Sequence, residues 1–170
     1  TAEAVNAETD ARLPWRLFSN GSSFTIGDLG FEPFSIPHDA QDPVAFTIRH
    51  NSHALGIVTD LGHATKLVLE RIRDLDLLVL ESNHDIRMLQ DDTIRPWATK
   101  QRIMSRHGHL NEAAAEVAGT VVTARLRYLF LAHLSRDCNK PELAQDVVGK
   151  KLRHLGATHV QLAAASQHQP

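Results

Sequence analysis

Imidazole and carboxylate side chains stand at the ends of apolar, β-like runs in this sequence, and that placement is the chemistry it offers. Phe34-Ser35-Ile36-Pro37 runs into His38-Asp39, Leu55-Gly56-Ile57-Val58-Thr59 into Asp60, and Tyr128-Leu129-Phe130-Leu131-Ala132 into His133. A fourth run, Leu77-Leu78-Val79-Leu80, ends at Glu81-Ser82-Asn83-His84-Asp85. Strand ends of a layered α/β fold converge on one edge, where ligands bind. Imidazole plus carboxylate at such an edge is a donor set suited to zinc or manganese. A lone histidine beside a strand is more often a hydrogen-bonded or surface group. Three such ends in one chain weaken that bland reading without abolishing it.

The elements that must position these residues change character along the chain. Trp15–Phe18, Ser23–Ile26, Phe31–Ile36, Val44–Arg49 and Ala54–Thr59 are short, rich in β-branched and aromatic residues, and separated by Asn20-Gly21, Gly27-Asp28 and Asn51-Ser52. That spacing predicts an antiparallel meander. After Asp60, Thr65–Asp74 has a helical apolar period, and Leu77–Leu80 is the continuous apolar run of a strand covered on both faces. Asn111 followed by Ala113–Ala118 reads as an N-cap and helix start, and Tyr128–Ala132 as a second buried strand. Asn139-Lys140-Pro141-Glu142 reads as a capping-box start for a helix carrying Leu143, Val147, Leu152 and Leu155 and ending at Gly156. Residues 1–160 are therefore expected as one α/β unit and 161–170 as a flexible tail.

Composition bounds the function. Eighteen Lys+Arg against twenty Asp+Glu leave a net charge of −2 over 170 residues, so no global basic field announces nucleic acid. No apolar run approaches the ~20 residues of a membrane span. The single cysteine, Cys138, excludes an internal disulfide and fits a reducing, cytoplasmic compartment. Eleven histidines are the oddity, where about four would be ordinary at a ~2% share.

Five motifs occur in a fixed order: Pro37-His38-Asp39-Ala40-Gln41-Asp42-Pro43; Val58-Thr59-Asp60-Leu61-Gly62-His63; Leu80-Glu81-Ser82-Asn83-His84-Asp85 through Leu89; Arg102 through Asn111, with Gly108-His109-Leu110; and Leu131-Ala132-His133-Leu134-Ser135-Arg136-Asp137-Cys138-Asn139. Together they resemble the metallo-β-lactamase-fold hydrolases, and more narrowly their YycJ/WalJ-type exonuclease branch. The resemblance runs from about Gly21 to Gly156. It departs in one respect: the family's H-x-H-x-D-H motif is nowhere in the chain, whose one H-x-H is His107-Gly108-His109. The sequence is thus similar to the C-terminal portion of such an enzyme. The implied fold is α/β, half of an αββα sandwich, a mixed sheet covered by helices on one face. The expected partner is the missing N-terminal half or a second copy.

The resemblance further implies two divalent ions, Zn or Mn, with His38 on one, Asp60 bridging both and His133 on the second. Glu81 would orient a ligating histidine, or is a strand-end carboxylate capping a turn. His84 and Asp85 would position substrate or carry a leaving-group proton, or Asp85 only caps the Ile86–Leu89 turn. Arg102, Arg106 and His107, with Lys100 beside them, form a basic lip for phosphates or a solvated loop face. Ser135 would donate to a phosphate oxygen, or closes a turn. His109 is assigned no role, and His50, His53, His63, His154, His159 and His168 read as surface or structural. The implied activity is a two-metal phosphodiesterase, a DNA exonuclease with water as nucleophile. A small-ester or cyclic-phosphodiester hydrolase is the rival enzyme, and a catalytically inert structural half is the rival outside enzymology.

Overall fold

In the computed structural model, which describes residues 14–166, one seven-stranded sheet runs in chain order. β1 (Phe24–Ile26), β2 (Leu29–Ser35), β3 (Val44–His50) and β4 (His53–Val58) form the expected antiparallel meander. Gly27 (φ 61°) and Asn51 (φ 52°) supply the left-handed backbone at two of its hairpins. β5 (Leu77–Glu81), β6 (Tyr128–Ala132) and β7 (Gln161–Ala164) then add in parallel, linked by helical crossovers. The helices are α1 (Lys66–Arg71), α2 (Ile86–Asp91), α3 (Trp97–Ile103), α4 (Ala114–Val121) and α5 (Pro141–His154).

The register sorts the sheet into two unlike faces. Phe34, Ala45, Ala54, Val58, Leu78, Leu80, Leu129 and Leu131 are at most 3% exposed and form a core with Val68, Ala114, Ala118, Val121, Val148 and Leu152 from the helices. Each such leucine contributes roughly 1.5–3 kcal/mol through burial. The alternate positions share the other face: Phe46 pairs Ile57, Ile57 pairs Val79, and Val79 pairs Phe130. That face is apolar and half open, with Ile57 36% and Tyr128 43% exposed. The architecture is the mixed sheet with helices on one face that the sequence implies.

Several expectations need correction. Trp15–Phe18 joins no ladder; Phe18 instead stacks on Phe24 at 5.1 Å and meets the edge of Phe46 at 5.7 Å, so ring packing replaces pairing. The supposed flexible tail contributes β7, because backbone pairing to β6 outweighs its weak, alanine-rich sequence signal; residues 167–170 lie outside the described residues. Helices α2 and α3 lie in a polar stretch that carries no clear helical periodicity. Asn139 is not the N-cap of α5: Lys140 is, while the buried Asn139 amide donates to the Ser82 and Asn83 carbonyls. Leu155 is the C-cap and 47% exposed, so the buried stripe of α5 is Ala144, Val148 and Leu152.

Candidate metal centre

The parallel strands β4, β5 and β6 end on the same edge, and the residues just past or at their ends are Asp60, Glu81 and His133. Asp60 and His133 each adopt left-handed backbone, with φ of 57°. A non-glycine residue held there costs of order 1 kcal/mol, and such strain collects at functional sites.

Glu81 is the keystone. It is fully buried, yet every acceptor direction of its carboxylate is used. Oε1 accepts from His109 Nδ1 at 2.8 Å and His133 Nδ1 at 2.7 Å; Oε2 accepts from the Leu61 amide at 2.6 Å and the Leu110 amide at 3.1 Å. Burial works to raise its pKa, but the hydrogen bonds from both histidines and the Leu61 amide outweigh it and hold the group below the ordinary carboxylate range. An ionised acceptor fixes the proton of each imidazole on Nδ1 and leaves Nε2 as a free donor atom. The same hydrogen bond from Glu81 raises the pKa of His133.

His38 completes the group from the loop after β2. Its Nδ1 lies 3.0 Å from the Gly108 carbonyl, which can only accept, so Nε2 is again left free. That Nε2 is 3.7 Å from Asp60 Oδ1, itself 3.6 Å from His133 Nδ1 and 3.9 Å from His109 Nδ1. The rings of His38 and His109 are 5.0 Å apart, and those of His109 and His133 5.3 Å. Donor atoms of Asp60, Glu81, His109 and His133 all lie within 4.8 Å of one another. Three imidazoles gathered around one exposed-edge carboxylate, each with its Nδ1 engaged by a protein acceptor, are a donor set that fits a borderline divalent cation.

Close backbone approach makes this convergence possible. The Gly62 amide donates to the Pro37 carbonyl at 2.8 Å, joining the His38 and Asp60 loops. A Cβ on Gly62 would sit 2.2 Å from the Arg106 carbonyl oxygen, and one on Gly108 2.1 Å from that of Ile103. Only glycine lets the 106–109 loop come down onto the strand ends. His109 is the residue that sequence reasoning missed. Its one signal is Gly108-His109 two residues before Asn111, which proves not to be the N-cap of α4 (Ala113 is) but accepts from the Ala113 amide just ahead of it at 2.9 Å; the need for His109 appears only with the buried Glu81.

The remaining candidates fall elsewhere. His84 is 1% exposed, so it cannot touch a substrate; it lines a small cavity with Ser82, Asp85, Glu112 and Asn139, and neither ring nitrogen has a hydrogen-bond partner. Asp85 caps α2, accepting from the Met88 amide at 2.7 Å, and burial together with a hydrogen bond to Asp85 raises Glu112. Arg102 is ion-paired to Asp39, whose Oδ1 is 3.5 Å from His38 Nε2. Arg106 brackets His63, with its carbonyl on Nδ1 at 2.8 Å and its guanidinium 3.1 Å from Nε2; His107 is exposed beside them. Lys100 does not join this lip: it is 6% exposed and donates to the Gln90 and Asp92 carbonyls at the end of α2. Ser135 Oγ accepts from the Cys138 amide at 3.1 Å, a turn-closing role, while lining an open cleft of about 720 Å³ with Thr59, His133 and Arg136.

Comparison with known proteins agrees with this geometry. Residues 1–133 match the profile of the beta-lactamase superfamily domain. The chain is 37% identical over 152 residues to the exodeoxyribonuclease YycJ of Bacillus anthracis, covering 89% of this chain and 56% of that protein. It is 33% identical over 129 residues to the exodeoxyribonuclease WalJ of Streptococcus pneumoniae, covering 75% and 48% respectively. The chain thus spans about half the length of the curated relatives it matches. In fold, it superposes on the metallo-beta-lactamase fold protein YhfI of Bacillus subtilis with a TM-score of 0.59 and 17% identity, covering 88% of this chain and 52% of that one. Zn(2+)-bound PqqB from Methylobacterium extorquens gives a TM-score of 0.56 at 16% identity, covering 88% and 50%.

Proposed function

We propose, from the premise that this chain belongs to the beta-lactamase superfamily, that it carries one half of a metal-dependent phosphodiesterase acting on DNA as an exonuclease. The observation that supports this most is the convergence of three imidazoles, His38, His109 and His133, on Asp60, whose Oδ1 lies 3.7, 3.9 and 3.6 Å from a ring nitrogen of each. His38, His109, His133 and Asp60 would hold the cations, two Zn or Mn ions in the whole protein. When bound, such ions lower the pKa of a water toward neutrality and polarise a phosphoryl oxygen. Glu81 holds both its histidines in one tautomer and orientation and, being fully buried, does not meet substrate. Arg102 holds Asp39 beside His38, and Arg106 and His107 add cationic and hydrogen-bonding capacity on the same rim. The His133 cleft is open enough to admit a polymer end.

The open face of the sheet supports a second part of the proposal. An apolar face of this extent is rare on a monomer, and we read it as the seat of an N-terminal half that supplies the remaining ligands. A second copy of the chain is the competing occupant. Among the described residues no helix is long and apolar enough to cross a membrane; a cytoplasmic location is our reading of the single buried thiol.

The test is metal content and hydrolysis measured on the same preparation. Elemental mass spectrometry of the whole protein should give about two Zn or Mn per chain, with Mn²⁺-dependent release of nucleotides from linear DNA that stops on chelation. Metal-loaded protein that leaves DNA intact but hydrolyses a small phosphodiester moves the assignment to the small-substrate reading. Protein that takes up no metal is the inert half.

A further inference from the structure

The segment Asp92–Trp97 exposes two large apolar side chains, Ile94 at 82% and Trp97 at 57%. Scattered exposed apolar residues are ordinary, but these two lie on backbone fixed at both ends. Arg95 donates to Asp92 and to Asp137 at 2.7 Å each, with Cys138 Sγ at 3.5 Å, tying the segment to the loop that follows His133. Lys100 ties α3 back onto the last carbonyls of α2. At the far end of α3, Arg102 grips Asp39 beside His38. The helix therefore runs along the rim of the metal centre, from the His133 loop to the His38 loop. Trp97 stands at one end of it, and the Arg102 and Arg106 cations stand at the other. Five residues, about 7.5 Å of helix rise, separate Trp97 from Arg102.

We propose that Trp97, flanked by Ile94, is a stacking platform for a nucleobase of the single strand whose phosphodiester lies at the His38–Asp60–His133 centre. The inference rests on the nuclease reading and adds to it how the substrate is held. An exposed indole on an element that also carries cations is one way proteins bind single strands without reading sequence: every base has a π-face, and the cations attract the phosphates. The platform lies on a helix tied to the site loops. The open sheet face, which is the seat proposed for the missing half, belongs to other residues.

The test uses the whole protein with Trp97→Ala and Trp97→Phe, each checked for an unchanged melting temperature. Trp97→Ala should raise KM for a single-stranded oligonucleotide about ten-fold, the order of one lost base stack, with kcat within about two-fold. Trp97→Phe should recover most of that loss, and KM for bis(p-nitrophenyl) phosphate, which has no base, should not move. Removing bases from the oligonucleotide should weaken wild-type binding, measured by fluorescence anisotropy, as much as Trp97→Ala does, and the two changes together should cost no more than one. Equal oligonucleotide KM for wild type and Trp97→Ala, or an equal loss on the small phosphodiester, overturns the proposal. If the wild-type protein hydrolyses neither substrate, the nuclease reading fails by itself. Anisotropy then decides the platform: no binding of the strand, or equal binding by Trp97→Ala, overturns it.

Discussion

Asp60 and His133 face each other at 3.6 Å from beyond the two strands that flank β5, each with φ of 57°. The chain turns left-handed at both positions, bringing a carboxylate and an imidazole together over the end of the middle strand. Asn tolerates this backbone as well as Asp does. Asp60→Asn should therefore leave the melting temperature within a few degrees while reducing divalent-metal affinity by a hundred-fold or more. Isothermal titration with Zn²⁺ beside a thermal melt checks both halves of the expectation.

Glu81 should be far less tolerant. Glu81→Gln keeps the shape but removes the charge, and its amide NH₂ meets N–H groups where only an acceptor fits. We expect a loss of about 2–3 kcal/mol in urea unfolding and a roughly 10–100-fold fall in metal affinity through misoriented His109 and His133. Unchanged metal affinity in a folded Glu81→Gln protein would show that the histidines need no such anchor.

His84 carries a pH signature. Burial first, then the nearby His109, push its pKa from 6.5 down to about 4. The unfolded chain thus takes up a proton on this residue that the native state refuses. The stability associated with neutral His84 is complete above pH 6.5, declines as pH falls from 6.5 to 4, and levels off below. Its full size is about 3 kcal/mol. His84→Leu fills much of the same space, removes two buried unpartnered nitrogens and should flatten this part of the stability–pH curve, read from urea midpoints between pH 7 and 4.

Metal uptake should carry the opposite partner of that effect. Glu81 raises the pKa of His133, so protons compete for its Nε2 at pH values where a free imidazole would be neutral. Affinity for Zn²⁺ should fall as pH drops through and below neutrality. Replacing Glu81 by Gln should move the onset of that fall to lower pH, which a competition assay with a chromogenic chelator would detect.

Gly62→Ala tests the loop closure directly. Its Cβ would press to 2.2 Å against the Arg106 carbonyl, so backbone must move. A loss of about 1–3 kcal/mol is expected, together with weakened metal binding because the 106–109 loop carries His109. A Gly62→Ala protein of wild-type stability and affinity would mean that this approach is not needed.

The strand-end pattern made much of the site legible, because alternation and apolar runs report strands directly and the residue after each run is then conspicuous. His38, Asp60, Glu81 and His133 stood out this way, and the structure places all four at one edge. His109 did not, because it sits in a loop held by glycine contacts with residues far away in sequence, and no local period marks it. The Arg102, Arg106 and Ser135 positions were legible as polar residues near the site. Their partners, Asp39, His63 and the Cys138 amide, became visible only through packing. The short helices α2 and α3 also escaped, since six or seven residues give too few turns for a helical period to stand out.

By itself the sequence determined the antiparallel meander, the buried strands at Leu77–Leu80 and Tyr128–Ala132 and the residue types at their ends, because these follow from local patterning; the parallel pairing of β4 to β7 needed the packed helices between them. Only the tertiary structure decided which imidazoles share one carboxylate, and that His84 is sealed away from solvent while His109 is drawn in. Those outcomes depend on backbone segments up to 70 residues apart meeting at hydrogen-bond distance, as His38 and the Gly108 carbonyl do. No window of sequence short enough to show a period contains both ends of such a contact.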